Sequence, residues 1–167
     1  MSFWTQASLE PKRNFRFKII SDEWGNEATW WFAKSIDKPS FEVKNSEYQL
    51  INHKFKYPGI VTWKNIQVTL ADFAKQGPNS GEEFKKELAL MGYTRPDEAP
   101  MKGIGKGSSV VSDLQIQHLA ADGSTVVDTW TLRGAFIIST TYSKLDYSSD
   151  DISEVTLEIA YDYADYE

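Results

Sequence analysis

The chain has 167 residues, 41% of them apolar, and its 18 Lys and Arg against 24 Asp and Glu leave a net charge of −6. That length suits one domain with a core of its own. The lack of cysteine excludes a disulfide framework and thiolate chemistry, and the acidic balance argues against the basic surface that grips nucleic acid by its phosphates.

Aromatic residues make up 14% of the chain, with six tryptophans, which points to a β-rich protein or one with large interfaces. Met1 to Ile20 contains Glu10, Lys12, Arg13, Arg16 and Lys18, and does not read as a signal peptide. No run approaches the ~20 apolar residues of a membrane span.

In chain order, residues 1–13 are mixed and read as an N-terminal arm. Phe15, Phe17 and Ile19 alternate with Arg16 and Lys18, which predicts a strand over Asn14 to Ile20 with one buried face. Gly25 marks a turn over Asp22 to Asn26, and Ala28 to Ser35 predicts a second strand that Pro39 ends. Residues 40–58 then place Phe41, Val43, Tyr48, Leu50, Phe55 and Tyr57 among Lys44, Asn45, Ser46, Glu47, Asn52, His53, Lys54 and Lys56. This is an extended, β-prone arm, far longer than the ~5 residues of a usual connection. Aromatics on such a polar excursion suit pairing with a neighbouring copy, so Phe41, Val43, Tyr48, Leu50, His53, Phe55 and Tyr57 are the candidate subunit or ring-stacking interface. Pro58-Gly59 reads as a turn closing the arm, and Val61 to Leu70 as the third main strand.

Ser80-Gly81-Glu82-Glu83 fits a capping box, and Phe84, Leu88 and Met91 follow at helical spacing. One α-helix is therefore predicted over 81–91, with Gly92 as its C-terminal cap. Thr94 to Ser109 reads as a loop. Beyond it, Leu114, Ile116 and His118 alternate with Asp113, Gln115 and Gln117, and Asp122-Gly123 signals a hairpin turn. Val126 to Leu132 returns, Arg133-Gly134 marks a bend, and Ala135 to Tyr142 continues. Val155, Leu157 and Ile159 face inward against Glu154, Thr156 and Glu158. About seven or eight strands and one helix make a mainly β, antiparallel sandwich or barrel-like single domain.

Catalytic motifs fail on context. Gly103 to Ser109 is glycine-rich, but a phosphate loop needs a strand before it and a helix after it, and here a loop precedes and a strand follows. His53 and His118 are the only histidines, each without the convergent ligands of a metal site. Asp146, Asp150 and Asp151 lack the spacing of a calcium loop. Glu154 with Glu158, and Asp162 with Asp165, read as surface carboxylates rather than a glycosidase pair. No enzyme activity, cofactor or metal is expected.

Ile36 to Val43, the polar arm, Lys56-Tyr57-Pro58-Gly59, and Trp63 with its alternating strand form one series. Leu145-Asp146-Tyr147, a Ser/Asp turn, the strand Glu154 to Ala160 and the acidic, aromatic residues 161–167 complete it. In this order the chain resembles the tube protein of contractile phage tails, whose superfamily includes the hexameric tube protein of type VI secretion. The resemblance implies homo-hexameric rings that close one inner β-barrel around a channel and stack into a hollow tube. It implies a tail sheath outside, a tape measure protein and transiting DNA inside, and baseplate and terminator proteins at the ends. It places the chain in the virion tail, assembled in the host cytoplasm. Asp113, Gln115, Gln117, Asp128, Glu154 and Glu158 are then the channel-lining candidates, on polar strand faces that read as free of Lys and Arg, since a basic lumen would hold passing phosphate. Two alternatives stand beside this reading. One is the tube of a type VI secretion or related contractile injection system. The other is a monomeric carbohydrate-binding β-sandwich that stacks sugars on its Trp and Tyr side chains.

Overall fold

The computed structural model describes residues 12–21, 33–72, 85, 88–89, 91–97, 100, 103–106 and 112–167. These hold nine strands: β1 (Phe17–Ser21), β2 (Ala33–Ile36), β3 (Ser40–Leu50), β4 (His53–Lys64), β5 (Ile66–Ala71), β6 (Ser112–Leu119), β7 (Val126–Tyr142), β8 (Glu154–Ala160) and β9 (Tyr163–Tyr166). All pairings are antiparallel.

The 17-residue β7 organises the body. Its first half pairs with β6 on one side and β9 on the other, and β1 lies beyond β6. Its second half pairs with β8, followed outward by β5 and β2. Two half-sheets thus share one strand, which crosses between them at Gly134, in the left-handed region at φ 66°. A side chain there is doubly opposed. The conformation itself favours glycine, and an added Cβ would press into Asp162, 3.1 Å from its Cγ.

The alternation read from the sequence becomes the core. Ile19, Leu114, Ile116 and Leu132 from one half-sheet meet Ile66, Val68, Leu70, Val155, Leu157 and Ile159 from the other in a single buried cluster. Each side chain of this size removed from water contributes about 1.5–3 kcal/mol. Their strand neighbours Gln67, Thr69, Thr156 and Glu158 remain outside the core.

Several expected elements take a different form. The strand expected over Val61 to Leu70 is two strands, divided at Asn65. Pro58-Gly59 is not a turn but lies inside β4, where two residues, Gly59 and Ile60, oppose the single Lys44. Such a bulge leaves one residue outside the ladder and lets proline and glycine sit in a strand. Residues 161–167 contain β9, which lies along β7. Of the helix expected over 81–91, Lys85, Leu88 and Ala89 are helical and Met91 lies in a turn, while the remaining positions and the capping box fall outside the described residues. The C-terminal cap is in place. Gly92 sits at φ 94°, its N–H donates to the Ala89 carbonyl at 3.0 Å, and the Tyr93 N–H donates to the Leu88 carbonyl at 3.2 Å. Residues 1–11, the turn expected over Asp22 to Asn26 and the strand stretch Ala28 to Phe32 also lie outside the described residues.

Candidate self-assembly surface

The polar arm is a β-hairpin. β3 and β4 pair with each other alone, and almost every side chain along both strands is exposed. The hairpin is tied to the body at its base, where the Trp63 ring lies 5.3 Å from Phe41 and 5.9 Å from the buried Tyr161.

Directly opposed residues of an antiparallel pair share a face, so the register defines two faces. Near the body, Phe41 opposes Trp63 and Val43 opposes Val61. Further out, the same face becomes polar: Asn45 opposes Pro58, Glu47 opposes Lys56 and Gln49 opposes Lys54. The other face does the reverse. It begins with Ser40, Glu42, Thr62 and Lys64, and ends with Ser46 opposite Tyr57, Tyr48 opposite Phe55, and Leu50 opposite His53. The apolar stripe therefore changes face along the hairpin, and the change falls at the Gly59–Ile60 bulge. Close approach requires glycine there: a Cβ on Gly59 would sit 2.8 Å from the Lys44 carbonyl oxygen.

Ion pairs mark the polar stretches. Glu47 lies 3.3 Å from Lys54 and 4.0 Å from Lys56, and Glu42 lies 3.3 Å from Lys64. On the aromatic face, His53 packs edge-on to Phe55 at 4.7 Å between centroids. The tip residue Ile51 is 89% exposed and lies at φ 53°. A β-branched residue in the left-handed region is strained. Of the predicted interface residues, Tyr48, Leu50, His53, Phe55 and Tyr57 form the distal aromatic face, while Phe41 and Val43 belong to the basal patch on the other face. The arm read from the sequence contains Ile51 without naming it as an interface residue, while Val61 and Trp63 were assigned to the following strand, because the pairing that joins them to Val43 and Phe41 was not visible.

The six channel-lining candidates do not share one face. Glu154 and Glu158 lie on the outer side of the β2–β5–β8–β7 half-sheet. There, by register, Glu158 faces Gln67 and Ser139, Thr156 faces Thr69 and Thr141, and Glu154 faces Ala71. Asp113, Gln115 and Gln117 lie on the other half-sheet, among Lys18, Thr129, Thr131 and Arg133. Basic residues do reach these faces. Lys34 bonds Glu154, Lys18 stands opposite Gln117, and Arg133 bonds Asp113 and lies 3.3 Å from Asp165. The hydrogen bond from Lys34 to Glu154 raises the Lys34 ammonium above its ordinary value, and the bonds to Asp113 and Asp165 do the same for Arg133. Glu158 accepts from the Asn65 amide at 2.9 Å.

Asp128 is not on an outer face. It is buried opposite His118, whose Nδ1 lies 3.2 Å from Asp128 Oδ1. Lys12 bonds the other carboxylate oxygen, and the Tyr166 hydroxyl lies 3.4 Å from it. Its carboxylate suggested an outward position, but Asp128 stands in step with Trp130 and Leu132 and directly opposite His118, on the side of the β6–β7 pair that carries Leu114 and Ile116. Burial pushes the Asp128 carboxyl up, but hydrogen bonding and attraction from Lys12, with His118, outweigh it and leave the carboxyl below its ordinary value. This network joins residue 12, the β6–β7 pair and β9. Among the described residues, no group of three or more His, Cys, Asp or Glu side chains is arranged to hold a metal ion, and no helix is long and apolar enough to cross a membrane.

No family model matches the chain, and no curated protein matches it. Solved structures do share its fold. A chain in the cryo-EM structure of the anti-feeding prophage cap, the tube terminating cap, superposes with a TM-score of 0.70 at 19% identity, covering 97% of this chain and 94% of that one. A chain in the extended sheath-tube complex of an extracellular contractile injection system, PVC, gives 0.69 at 19% identity, covering 98% of each. A type six secretion system protein gives 0.51 at 10% identity, covering 90% of this chain and 81% of that one. The chain has the fold found in these tube, cap and secretion-system assemblies, as the resemblance in its sequence implies.

Proposed function

We propose that the protein is a structural subunit of the tube of a contractile injection particle, either along the tube or at its capping end. Copies join edge to edge into hexameric rings, and rings stack into a hollow tube. The observation that carries this reading is the β3–β4 hairpin, which stands off a completed sandwich and exposes aromatic side chains that its own domain leaves uncovered. Exposed apolar surface of this kind marks an interaction site. Among the described residues β1 and β2 are the outermost strands of the sheet, and ring closure would join such edges between copies. The role is structural, without catalysis.

The outer side of the β2–β5–β8–β7 half-sheet suits the channel better than the other half-sheet. Its Gln67, Thr69, Thr141, Thr156 and Glu158 are uncharged or acidic, with Lys34 reaching the face only at its end, where it bonds Glu154, whereas Lys18 and Arg133 stand within the alternative face. The channel-lining reading is therefore kept for Glu154 and Glu158 and set aside for Asp113, Gln115, Gln117 and Asp128. A sheath would lie outside and baseplate and terminator proteins at the ends. A DNA-conducting phage tail, with a tape measure protein inside, is the second reading; the acidic channel face favours it, because such a wall repels phosphate.

The test is deletion of Glu42 to Lys56 followed by size exclusion and electron microscopy of the purified protein. The parent should form rings or tubes. The deletion should keep the thermal transition of the body, because Phe41, Trp63 and the core remain, and should lose tubes. A monomeric parent would favour the carbohydrate-binding module, and a deletion that still forms tubes would remove the hairpin from assembly.

A further inference from the structure

The β2–β5–β8–β7 half-sheet has two unlike ends. Where Ile66 pairs with Ile159, the chain has just left the hairpin. At the other end, where Ala71 pairs with Glu154 and Tyr142 with Val155, residues 143–153 connect β7 to β8. Hairpin and connection therefore leave the body at opposite ends of the strands, separated by the six residues of β5, a length of about 20 Å.

The connection has a fixed shape. Asp146 accepts from the Ser148 N–H at 3.0 Å and from its hydroxyl at 2.6 Å, Ser149 donates to Asp151 at 2.7 Å, and the Ser143 N–H donates to the Glu154 carbonyl at 2.9 Å. With Lys34 it walls an open groove of about 750 Å³. Leu145 and Ile152 line this groove and are exposed, Tyr147 of the same segment is fully exposed, and the segment carries Asp146, Asp150 and Asp151 against Lys144 alone.

The hairpin is its complement. In a chain of net charge −6, Lys44, Lys54, Lys56 and Lys64 against Glu42 and Glu47 give residues 40–64 a net charge of +2. Its distal half presents Tyr48, Leu50, Phe55 and Tyr57 on one face and Lys54 and Lys56 on the other. At its tip stands Ile51, apolar and 89% exposed in a conformation that glycine or asparagine would adopt with less strain. A lone domain gains nothing from that side chain in water.

We propose that the hairpin tip of one copy inserts into the acidic groove of the 143–153 segment of the next copy. Ile51 and the distal aromatic face lie against Leu145, Tyr147 and Ile152, and Lys54 and Lys56 lie over Asp150 and Asp151. This rests on the tube reading and names the surface that receives the hairpin. Because donor and acceptor stand at opposite ends of one molecule, the contact is heterologous. Each copy gives a hairpin forward and accepts one behind, which continues as a stack instead of closing as a dimer.

The chain has no cysteine, so introduced thiols are unique. Ile51→Cys and Tyr147→Cys proteins are prepared separately, mixed, assembled and treated with a short bis-maleimide. The mixture should give covalent dimers that neither protein gives alone. In a second arm, Asp150→Lys with Asp151→Lys should raise the concentration needed for tubes by about tenfold or more, and Lys54→Glu with Lys56→Glu should restore it in the same chain. Tubes that form without the mixed cross-link, an Ile51→Cys protein that links to itself, or charge reversal without rescue each overturn the acceptor while leaving the tube reading intact. A parent that stays monomeric at every concentration overturns both, and size exclusion separates that case from the others.

Discussion

Gly134→Ala tests the strand crossing on which the sandwich depends. Gly134 lies at φ 66°, and an alanine held in the left-handed region costs about 1–2 kcal/mol. The new methyl would also press on the Asp162 carboxylate, which cannot yield freely. Lys106 Nζ holds its two oxygens at 2.6 and 2.5 Å, and the Asp162 N–H is bonded to the Arg133 carbonyl at 3.0 Å. Displacing that carboxylate would free Lys106 from its position 5.9 Å from the Phe136 ring centroid. The ion pair is exposed and adds little, so the backbone sets the scale. For a chain of this length each kcal/mol lowers Tm by about 2–4 °C, which gives an expected fall of about 2–8 °C. The assay is thermal and urea unfolding, below the concentration at which copies assemble. Gly134→Ala combined with Asp162→Ala removes the steric part and keeps the left-handed part, so the double variant should be more stable than the sum of the singles. A single variant within about 0.3 kcal/mol of the parent, or strict additivity, would refute the reasoning.

Leu157→Ala removes a fully buried side chain from the strand at the centre of its half-sheet and should cost about 2–5 kcal/mol, read as a lower urea midpoint at unchanged slope; a shift below about 1 kcal/mol would mean that the site collapses without a cavity. Asp128→Asn should lower stability near neutral pH and flatten its loss in acid. The folded carboxyl lies below its ordinary value, so its contribution is present above the unfolded pKa of about 3.9 and is lost as pH falls through the lowered folded value. Urea unfolding from pH 7 down to pH 2 reads this directly, and a variant with the parent's acid slope would show that the carboxylate contributes nothing.

The body of the fold was legible because its strands are half-buried in an antiparallel sandwich. Val155, Leu157 and Ile159, like Leu114 and Ile116, alternate with polar residues as a one-sided strand must. Gly134 announced its bend for the same reason that alanine would be strained there. The hairpin was legible as an exposed, β-prone arm but not as a hairpin. Its turn, Ile51-Asn52, carries none of the glycine that normally marks a two-residue loop, and Pro58-Gly59 supplied a false turn signal inside a bulged strand. The channel candidates were harder still. Alternation reports that a side chain leaves the core, but both half-sheets have an outer side, and pairing alone assigns Glu158 to one and Gln115 to the other. Asp128 was missed because its charge was taken to mean an outward position, although it alternates in step with Trp130 and Leu132 on the core side.

The hairpin's pairing is entirely local, from Leu50 opposite His53 back to Ser40 opposite Lys64. The body combines local pairs, Leu119 with Val126 and Tyr142 with Val155, with distant ones that complete its core: Phe17 pairs with His118, and Ile66 with Ile159. Local hairpins form in about 1–10 μs, whereas sheets built from distant segments must first close long loops and fold in milliseconds to seconds. The chain therefore has an order of folding written into its topology, with the arm formed before the surface that carries it. The hairpin exists early as a marginal ribbon, and its base becomes fixed only when Tyr161 arrives beneath Trp63. Copies still folding carry the projecting half of the stacking contact without a seated base, so productive stacking waits on completion of the body. Trp63 reports that step: its fluorescence should change in the slow phase of refolding, together with burial of the core.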